Sequence, residues 1–323
     1  MADIAILFKI DEKAQRFLEE SQISFSVFQG DSSLEEWMVE QLKEAKVAIL
    51  FPGQKFGERD FKNAPKLKLL IVHGSGLDAV DMGAASKYGV CVANAPDAIA
   101  EAVAEHALAL VMSSLRNIVQ GDSMIRNGKW VRGIQRSLVG RSLKTLSVGV
   151  IGLGRIGSEV ARIFSALGNS VSYWDRRRKP EIEHALKVEY KDLKDLLATS
   201  DIIVVSIALA ENTRKLLGPA EISMIKKGAL LVNISRGAIV DEKSLIERLK
   251  TGEISAALDV FEEEPISIDN PLIQFKNVVM TPHIAGFTEE ALRETSIFVV
   301  KSAIEFIKKG KLPYTTVNTN ACL

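Results

Sequence analysis

A glycine-rich turn that opens at residue 152, rather than near the N-terminus, most sharply limits what this chain can fold into. Val148-Gly149-Val150-Ile151 reads as a buried strand and runs into Gly152-Leu153-Gly154-Arg155-Ile156-Gly157. A helical pattern follows over 158–167, and a second strand ends at Trp174-Asp175. A bare G-x-G-x-x-G is weak, because glycines also mark ordinary turns. Here a strand precedes it, a helix follows, and an acid stands 18 residues beyond the third glycine. That context is the dinucleotide-binding βαβ unit. Gly152 permits the tight turn, Gly154 lets the backbone approach a pyrophosphate, and Gly157 lets helix and strand pack closely. Free N–H groups and the helix dipole around Arg155 and Ile156 would hold the negative charge.

Asp175 bears on the choice of dinucleotide. A carboxylate there accepts hydrogen bonds from the adenosine ribose hydroxyls and repels a 2′-phosphate, which favours NAD. The run Arg176-Arg177-Arg178-Lys179 follows at once, and arginine pairs well with phosphate, so NADP or dual use stays open.

A whole α/β layer precedes this turn. Candidate strands at 4–10, 23–28, 47–51, 67–72 and 90–93 alternate with amphipathic stretches such as 12–20 and 34–45. Such alternation means βαβ units and a parallel sheet. The stretch 98–125 is rich in Ala, Leu and Val and lacks Pro, so it reads as one long helix connecting two domains. A second series has strands at 147–152, 170–174, 187–189, 201–206, 229–234, 255–259 and 278–281. The helix at 289–309 is then left over, and is expected to pack back on the first layer. The predicted fold is α/β with two Rossmann-like domains. A doubly wound, parallel-sheet NAD-binding domain (99–288) is inserted in a flavodoxin-like substrate domain (1–98 plus 289–323). A length of 323 residues suits two domains at roughly 100–200 residues each.

Composition narrows the function classes. Formal net charge is zero, with no basic excess to recommend nucleic acid as a partner. No run approaches the ~18 apolar residues of a spanning helix, and the first apolar run stops at Lys9, too short for a signal peptide. A cytoplasmic protein without a membrane role is expected. The two cysteines, Cys91 and Cys322, form neither a disulfide framework nor a metal site by spacing. Cys91 reads as a small buried hydrophobe and Cys322 as an exposed tail residue, a usage that fits a reducing compartment.

Three further segments each follow a predicted strand, where open α/β sheets bind ligands. They are Asn233-Ile234-Ser235-Arg236-Gly237, then Asp259-Val260-Phe261-Glu262-Glu263-Glu264-Pro265, then Thr281-Pro282-His283-Ile284-Ala285-Gly286. With the glycine turn, Gly74-Ser75-Gly76-Leu77-Asp78, Ala104-Glu105-His106 and the ending Leu312-Pro313-Tyr314-Thr315-Thr316-Val317-Asn318, they resemble the D-isomer-specific 2-hydroxyacid dehydrogenase family. The resemblance covers nearly the whole chain. Within the family the pattern is most similar to the glyoxylate and hydroxypyruvate reductases.

The resemblance implies hydride transfer between NAD(H) and a small 2-keto acid or D-2-hydroxy acid. Arg236 would hold the substrate carboxylate and polarise the keto oxygen, as a planar fork suits. His283 would be general acid in reduction and base in oxidation. Glu264, singled out from Glu262 and Glu263 by its place before Pro265, would hydrogen-bond and orient the imidazole. Asp259 would face the nicotinamide carboxamide. Ser75 and Gly76 would offer backbone N–H groups to the substrate carboxylate, with a plain αβ turn an equal reading. His73, His106 and His184 read as structural, and Asp241 as a helix N-cap. No metal enters this reading. Catalysis would need a cleft between domains to close, and a homodimer is expected, with the helix after Ala98 as interface.

Departures from the family pattern are few. Ser206 and Ala208 stand where the family usually has a histidine and then a proline, near the adenosine half of the cofactor. Phe51-Pro52-Gly53-Gln54-Lys55 offers no arginine for a substrate phosphate, and the chain has no room for a regulatory domain; both argue against a D-3-phosphoglycerate dehydrogenase. A glutamate rather than a glutamine beside the histidine argues against formate. A non-catalytic, NAD-sensing corepressor would need the nucleotide turn but not the complete Arg–Glu–His set.

Overall fold

The computed structural model describes residues 2–30 and 33–321. Cys322 lies outside the described residues. The chain divides into two compact units, Met1–Ile99 with Phe287–Leu323, and Ala100–Gly286.

The first unit is a parallel sheet of β1 (Ile4–Ile6), β2 (Phe25–Val27), β3 (Val47–Leu50), β4 (Leu69–Val72) and β5 (Cys91–Ala93). Its order is β2-β1-β3-β4-β5, the flavodoxin-like arrangement. Alternation along the strands sorts side chains to two faces. Ala5, Ala48, Leu50 and Leu70 join a cluster with Phe56 and Phe61. Ile4, Ile6, Val47, Ile49, Leu69 and Ile71 meet Val299, Val300 and Ala303 of the C-terminal helix Glu289–Lys309. That helix therefore completes the layer begun by the N-terminal strands. The exposed edge at β5 is covered by the chain's end. Val317 N–H donates to the Val92 carbonyl at 2.9 Å, and the Asn318 carboxamide accepts from Val92 N–H at 2.7 Å. Covering an edge removes a template for stray strand pairing. Cys91 is buried on β5.

His73, at the end of β4, is 4% exposed. Its Nε2 lies 2.9 Å from Ser296 Oγ, and its ring meets Phe8 edge-on at 5.0 Å. Burial pushes its pKa down to about 4, against an ordinary value of 6.5. The unfolded chain therefore takes up this proton first. Stability should be complete above pH 6.5 and fall as pH drops from there toward 4, by about 3 kcal/mol from this group. Urea unfolding at pH 7 and pH 4.5 measures the loss. His73→Gln should remove most of it, and an equal loss in that variant would acquit the histidine.

The second unit holds seven parallel strands. They are β6 (Val148–Ile151), β7 (Val171–Trp174), β8 (Glu189–Tyr190), β9 (Ile202–Val205), β10 (Leu230–Asn233), β11 (Ser255–Leu258) and β12 (Val278–Met280). The order β12-β11-β10-β9-β6-β7-β8 is the doubly wound arrangement, with its switch point between β6 and β9. The glycine turn follows β6 at that point. The long helix expected over 98–125 is instead two, Ala100–Leu115 and Ile118–Arg126. Asn117 breaks it with φ of 50°, a left-handed conformation that asparagine tolerates better than most residues. Among the described residues no helix is long and apolar enough to cross a membrane.

Candidate active site

The glycine turn is shaped by close approach. Gly152 has φ of +93°, and a Cβ there would stand 2.7 Å from the Ile207 backbone. A Cβ on Gly157 would stand 1.9 Å from the Gly152 carbonyl oxygen. Nothing lies within 4 Å of a Cβ built on Gly154, so the space before it is open. The helix Arg155–Ala166 begins there with no side-chain cap on its first turn. A cradle of bare backbone at a helix N-terminus fits a pyrophosphate. Ser206, the departure from the family pattern, braces the turn by donating to the Gly152 carbonyl at 2.8 Å. Asp175 ends the strand β7 and accepts from Leu153 N–H at 3.0 Å, which ties the ribose-side acid to the turn.

Arg236 follows β10 in a turn held by its own backbone. The Asn233 carboxamide donates to the Arg236 carbonyl at 3.0 Å, and Ser235 Oγ donates to the Ile207 carbonyl. The half-buried guanidinium donates to the Ser235 carbonyl at 2.7 Å. Gly237 lies flat against the next loop: a Cβ there would meet the Phe261 carbonyl carbon at 1.9 Å. Only glycine allows this approach, and it joins the Arg236 turn to the segment that carries Glu264.

Glu264 Oε1 accepts from Phe261 N–H at 3.0 Å, while Oε2 lies 2.7 Å from His283 Nδ1. Burial pushes this carboxyl up. The bonds from His283 and Phe261, with the charges of His283 and Arg236, outweigh it and hold the pKa below the ordinary value. Glu264 therefore stays ionised at neutral pH and keeps an acceptor on Nδ1. The ring's other nitrogen, Nε2, has no partner among the described residues, and 45% of the side chain is exposed.

His283 itself sits at φ of 54°, in the left-handed region that residues with a side chain adopt uncommonly. Asp259 supplies the restraint. Its carbonyl accepts from His283 N–H at 2.8 Å. Its carboxylate accepts from Thr281 Oγ1 at 2.6 Å and from the N–H groups of Ile284 and Ala285, each at 2.9 Å. His106 Nε2 lies 3.0 Å from Thr281 Oγ1. Burial pushes the Asp259 carboxyl up, but bonds from His106, Thr281 and the two amides hold it below the ordinary value. The sequence reading turns Asp259 toward a nicotinamide. In the structure the side chain is 1% exposed and engaged by the loop that bears His283. The remaining candidates, Ser75 and Gly76, belong to the first unit, in the turn after β4. Their N–H groups find no acceptor among the described residues, and the Ser75 carbonyl accepts from the Asn94 carboxamide at 2.7 Å.

Sequence reasoning names Gly237, Ser206, Thr281 and His106 but does not give the contacts they make here. A glycine directly after the arginine is the one available signal for the first. The others depend on contacts between residues far apart in the chain.

Comparison with known proteins gives a consistent result. Residues 108–285 match the family described as D-isomer specific 2-hydroxyacid dehydrogenase, NAD binding domain. A glyoxylate reductase from Aeropyrum pernix is 40% identical over 260 residues, covering 79% of this chain and 77% of that one. A glyoxylate reductase from Pyrococcus furiosus is 35% identical over 315 residues, covering 96% and 93%. Among solved structures, a glyoxylate reductase from Paecilomyes thermophila is similar with a TM-score of 0.87 at 27% identity, covering 98% of each chain.

Proposed function

From the premise that the chain belongs to the D-isomer-specific 2-hydroxyacid dehydrogenase family and is an NAD-dependent oxidoreductase, we propose that it reduces glyoxylate or hydroxypyruvate to the corresponding 2-hydroxy acid. The 2.7 Å contact between His283 Nδ1 and the ionised Glu264 carries this reading. It commits one ring nitrogen to orientation and leaves Nε2 to exchange a proton with the substrate's oxygen. Arg236 binds the substrate carboxylate and polarises the keto group. Gly152, Gly154, Arg155, Ile156 and Gly157 hold the pyrophosphate, and Asp175 receives the adenosine ribose of NAD. The nicotinamide, when bound, supplies or accepts the hydride. Asp259 holds the His283 loop in its strained form, and Ser75 and Gly76 offer N–H groups to the carboxylate. The names of the relatives support the choice of keto acid, and the apolar Phe51 favours an uncharged substrate side chain.

NADH absorbance followed with glyoxylate, hydroxypyruvate, pyruvate, phenylpyruvate and 3-phosphohydroxypyruvate tests this reading. Highest kcat/KM on one of the first two is the expected result. Preference for the phosphorylated acid would replace the substrate assignment, and no turnover at all with NADH bound would revive a sensor. Arg236→Lys should both raise KM for the keto acid and lower kcat, since lysine lacks the planar fork. Unchanged kinetics would remove Arg236 from the site.

We also infer a homodimer. The helix Ile118–Arg126 has no buried residue, and the segment after it exposes Trp130 at 68% and Ile134 at 89%. Exposed apolar side chains that recur from Ile118 to Val139, among polar ones, favour an association surface. Light scattering should give twice the chain mass, and the double variant Trp130→Glu, Ile134→Glu should give the single mass. A wild-type monomer would end the idea.

A further inference from the structure

The turn that carries Ser75 and Gly76 is fixed from several sides. The Gly74 carbonyl accepts from Ala95 N–H at 2.7 Å. A Cβ on Gly74 would stand 2.7 Å from Pro52 Cγ, so the loop after β3 lies flat against it. The bend that starts the turn is at His73 itself. His73 N–H donates to the Leu50 carbonyl at 2.8 Å, and Gly74 N–H turns back to the Val72 carbonyl at 2.8 Å. That second bond closes a tight turn with His73 at its centre, so the torsions of His73 set the direction in which residues 74–76 leave the sheet.

The His73 side chain sits in a socket drawn from other segments of the first unit. Phe8, just beyond β1, meets the ring edge-on, and Phe51, directly after β3, stacks on it at 5.8 Å with 22° between planes. Phe51 is held in turn. Its N–H donates to Gln54 Oε1 at 2.7 Å, and Gln54 Nε2 donates to the Leu7 carbonyl at 2.9 Å. The polar anchor of the ring is Ser296 of the C-terminal helix, itself buried, with Oγ 2.9 Å from Nε2. A phenyl ring would fill this aromatic socket without the cost of burying ring nitrogens. What the imidazole adds is a directional bond, which fixes how the ring lies and so restrains the residue that bends the chain. We propose that His73 is a positioning residue for the substrate: its bond to Ser296 holds the bend from which the Ser75 and Gly76 N–H groups meet the carboxylate. It acts on binding rather than on proton transfer. The inference deepens the proposed function and rests on the reading of this turn as a carboxylate site.

Steady-state kinetics of the full chain with glyoxylate and hydroxypyruvate test this, together with inhibition by oxamate (an unreactive carboxylate of similar shape) at saturating NADH. His73→Phe removes the bond and keeps the socket filled. Ser296→Ala deletes a single oxygen and breaks the same bond with the imidazole in place. Each should raise KM for the keto acid and Ki for oxamate by about 10-fold, the size of one misplaced charge-assisted hydrogen bond, with kcat within about 3-fold of wild type. The double variant should be no worse than either single change, because both remove one interaction. The proposal alone is overturned if wild type turns over but KM and Ki stay within about 2-fold of it in both variants, or if the two losses add. It is overturned equally if kcat and NADH affinity fall by as much as KM rises, which would make His73 part of the general packing. A wild-type chain that neither turns over a keto acid nor binds oxamate would overturn the carboxylate reading beneath it.

Discussion

Replacing His283 by alanine should lower turnover by about 10²–10⁴-fold while NADH binds as before. The expectation follows from what the imidazole touches. Its Nδ1 is held by Glu264 at 2.7 Å, and nothing among the described residues takes Nε2. The ring is therefore oriented but not used as a structural post, and 45% of the side chain is exposed, so its loss leaves no buried cavity. The glycine turn is shaped by Gly152, Gly157, Ser206 and Ile207, none of which depends on the ring. Stopped-flow reduction of the keto acid, with NADH fluorescence titrated in parallel, separates the two quantities. A loss of NADH binding equal to the loss of rate would place His283 in the cofactor site instead. Glu264→Gln should give an intermediate loss, because a carboxamide can still accept from Nδ1 but cannot balance a positive ring. The double variant should be little worse than His283→Ala alone, since Glu264 acts through the imidazole.

Much of this arrangement is legible in the amino-acid sequence. The glycine turn declared itself because each of its glycines answers a separate steric demand, and because strand, helix and acid stood at the right distances. The two sheets were legible from short apolar runs, since strands buried on both faces admit few polar residues. The N-cap at Asp241 could be read from its place before Glu242, and its carboxylate does accept from Ser244 N–H at 2.9 Å. Other features had no local signature. The break at Asn117 needs neither Pro nor Gly, because asparagine reaches the left-handed region through its own side-chain chemistry. Strand β1 stops at Ile6, although the apolar run continues to Phe8, because sheet pairing rather than hydropathy sets where a strand ends. The direction in which Asp259 faces, and the partner that occupies Asp175, depend on residues brought near only by folding. Position at a strand's end marks a residue for the site without saying what it will hold.

Gly237→Ala should lower both the stability of the second unit and the rate. The added carbon would stand 1.9 Å from the Phe261 carbonyl carbon, 2.0 Å from its oxygen and 2.3 Å from Glu262 N. All three are backbone atoms, so no side chain can swing aside to make room. The Arg236 turn cannot yield easily either, since Ser235 is bonded to the Ile207 carbonyl and Asn233 to the Arg236 carbonyl. Forced separation of the two loops costs about 1–3 kcal/mol or more, which for a unit of this size lowers Tm by several degrees. The kinetic cost should be larger in proportion. Arg236 stands on one loop and Glu264 on the other, and a misplacement of about 1 Å between reacting groups is worth about 10²-fold in rate. NADH binding should change less than the rate, because the clash falls on Phe261 and Glu262 and not on the glycine turn at 152–157. Gly121→Ala is the matched control: a Cβ there meets nothing within 4 Å, so it should leave the rate unchanged and hold or raise Tm. If Gly237→Ala lowers Tm but spares kcat, the loops tolerate separation and Arg236 does not need its observed place relative to Glu264. If it lowers kcat about 10²-fold with NADH binding intact, the glycine is a positioning element for the reaction, placed by the same steric exclusion that shapes the cofactor turn.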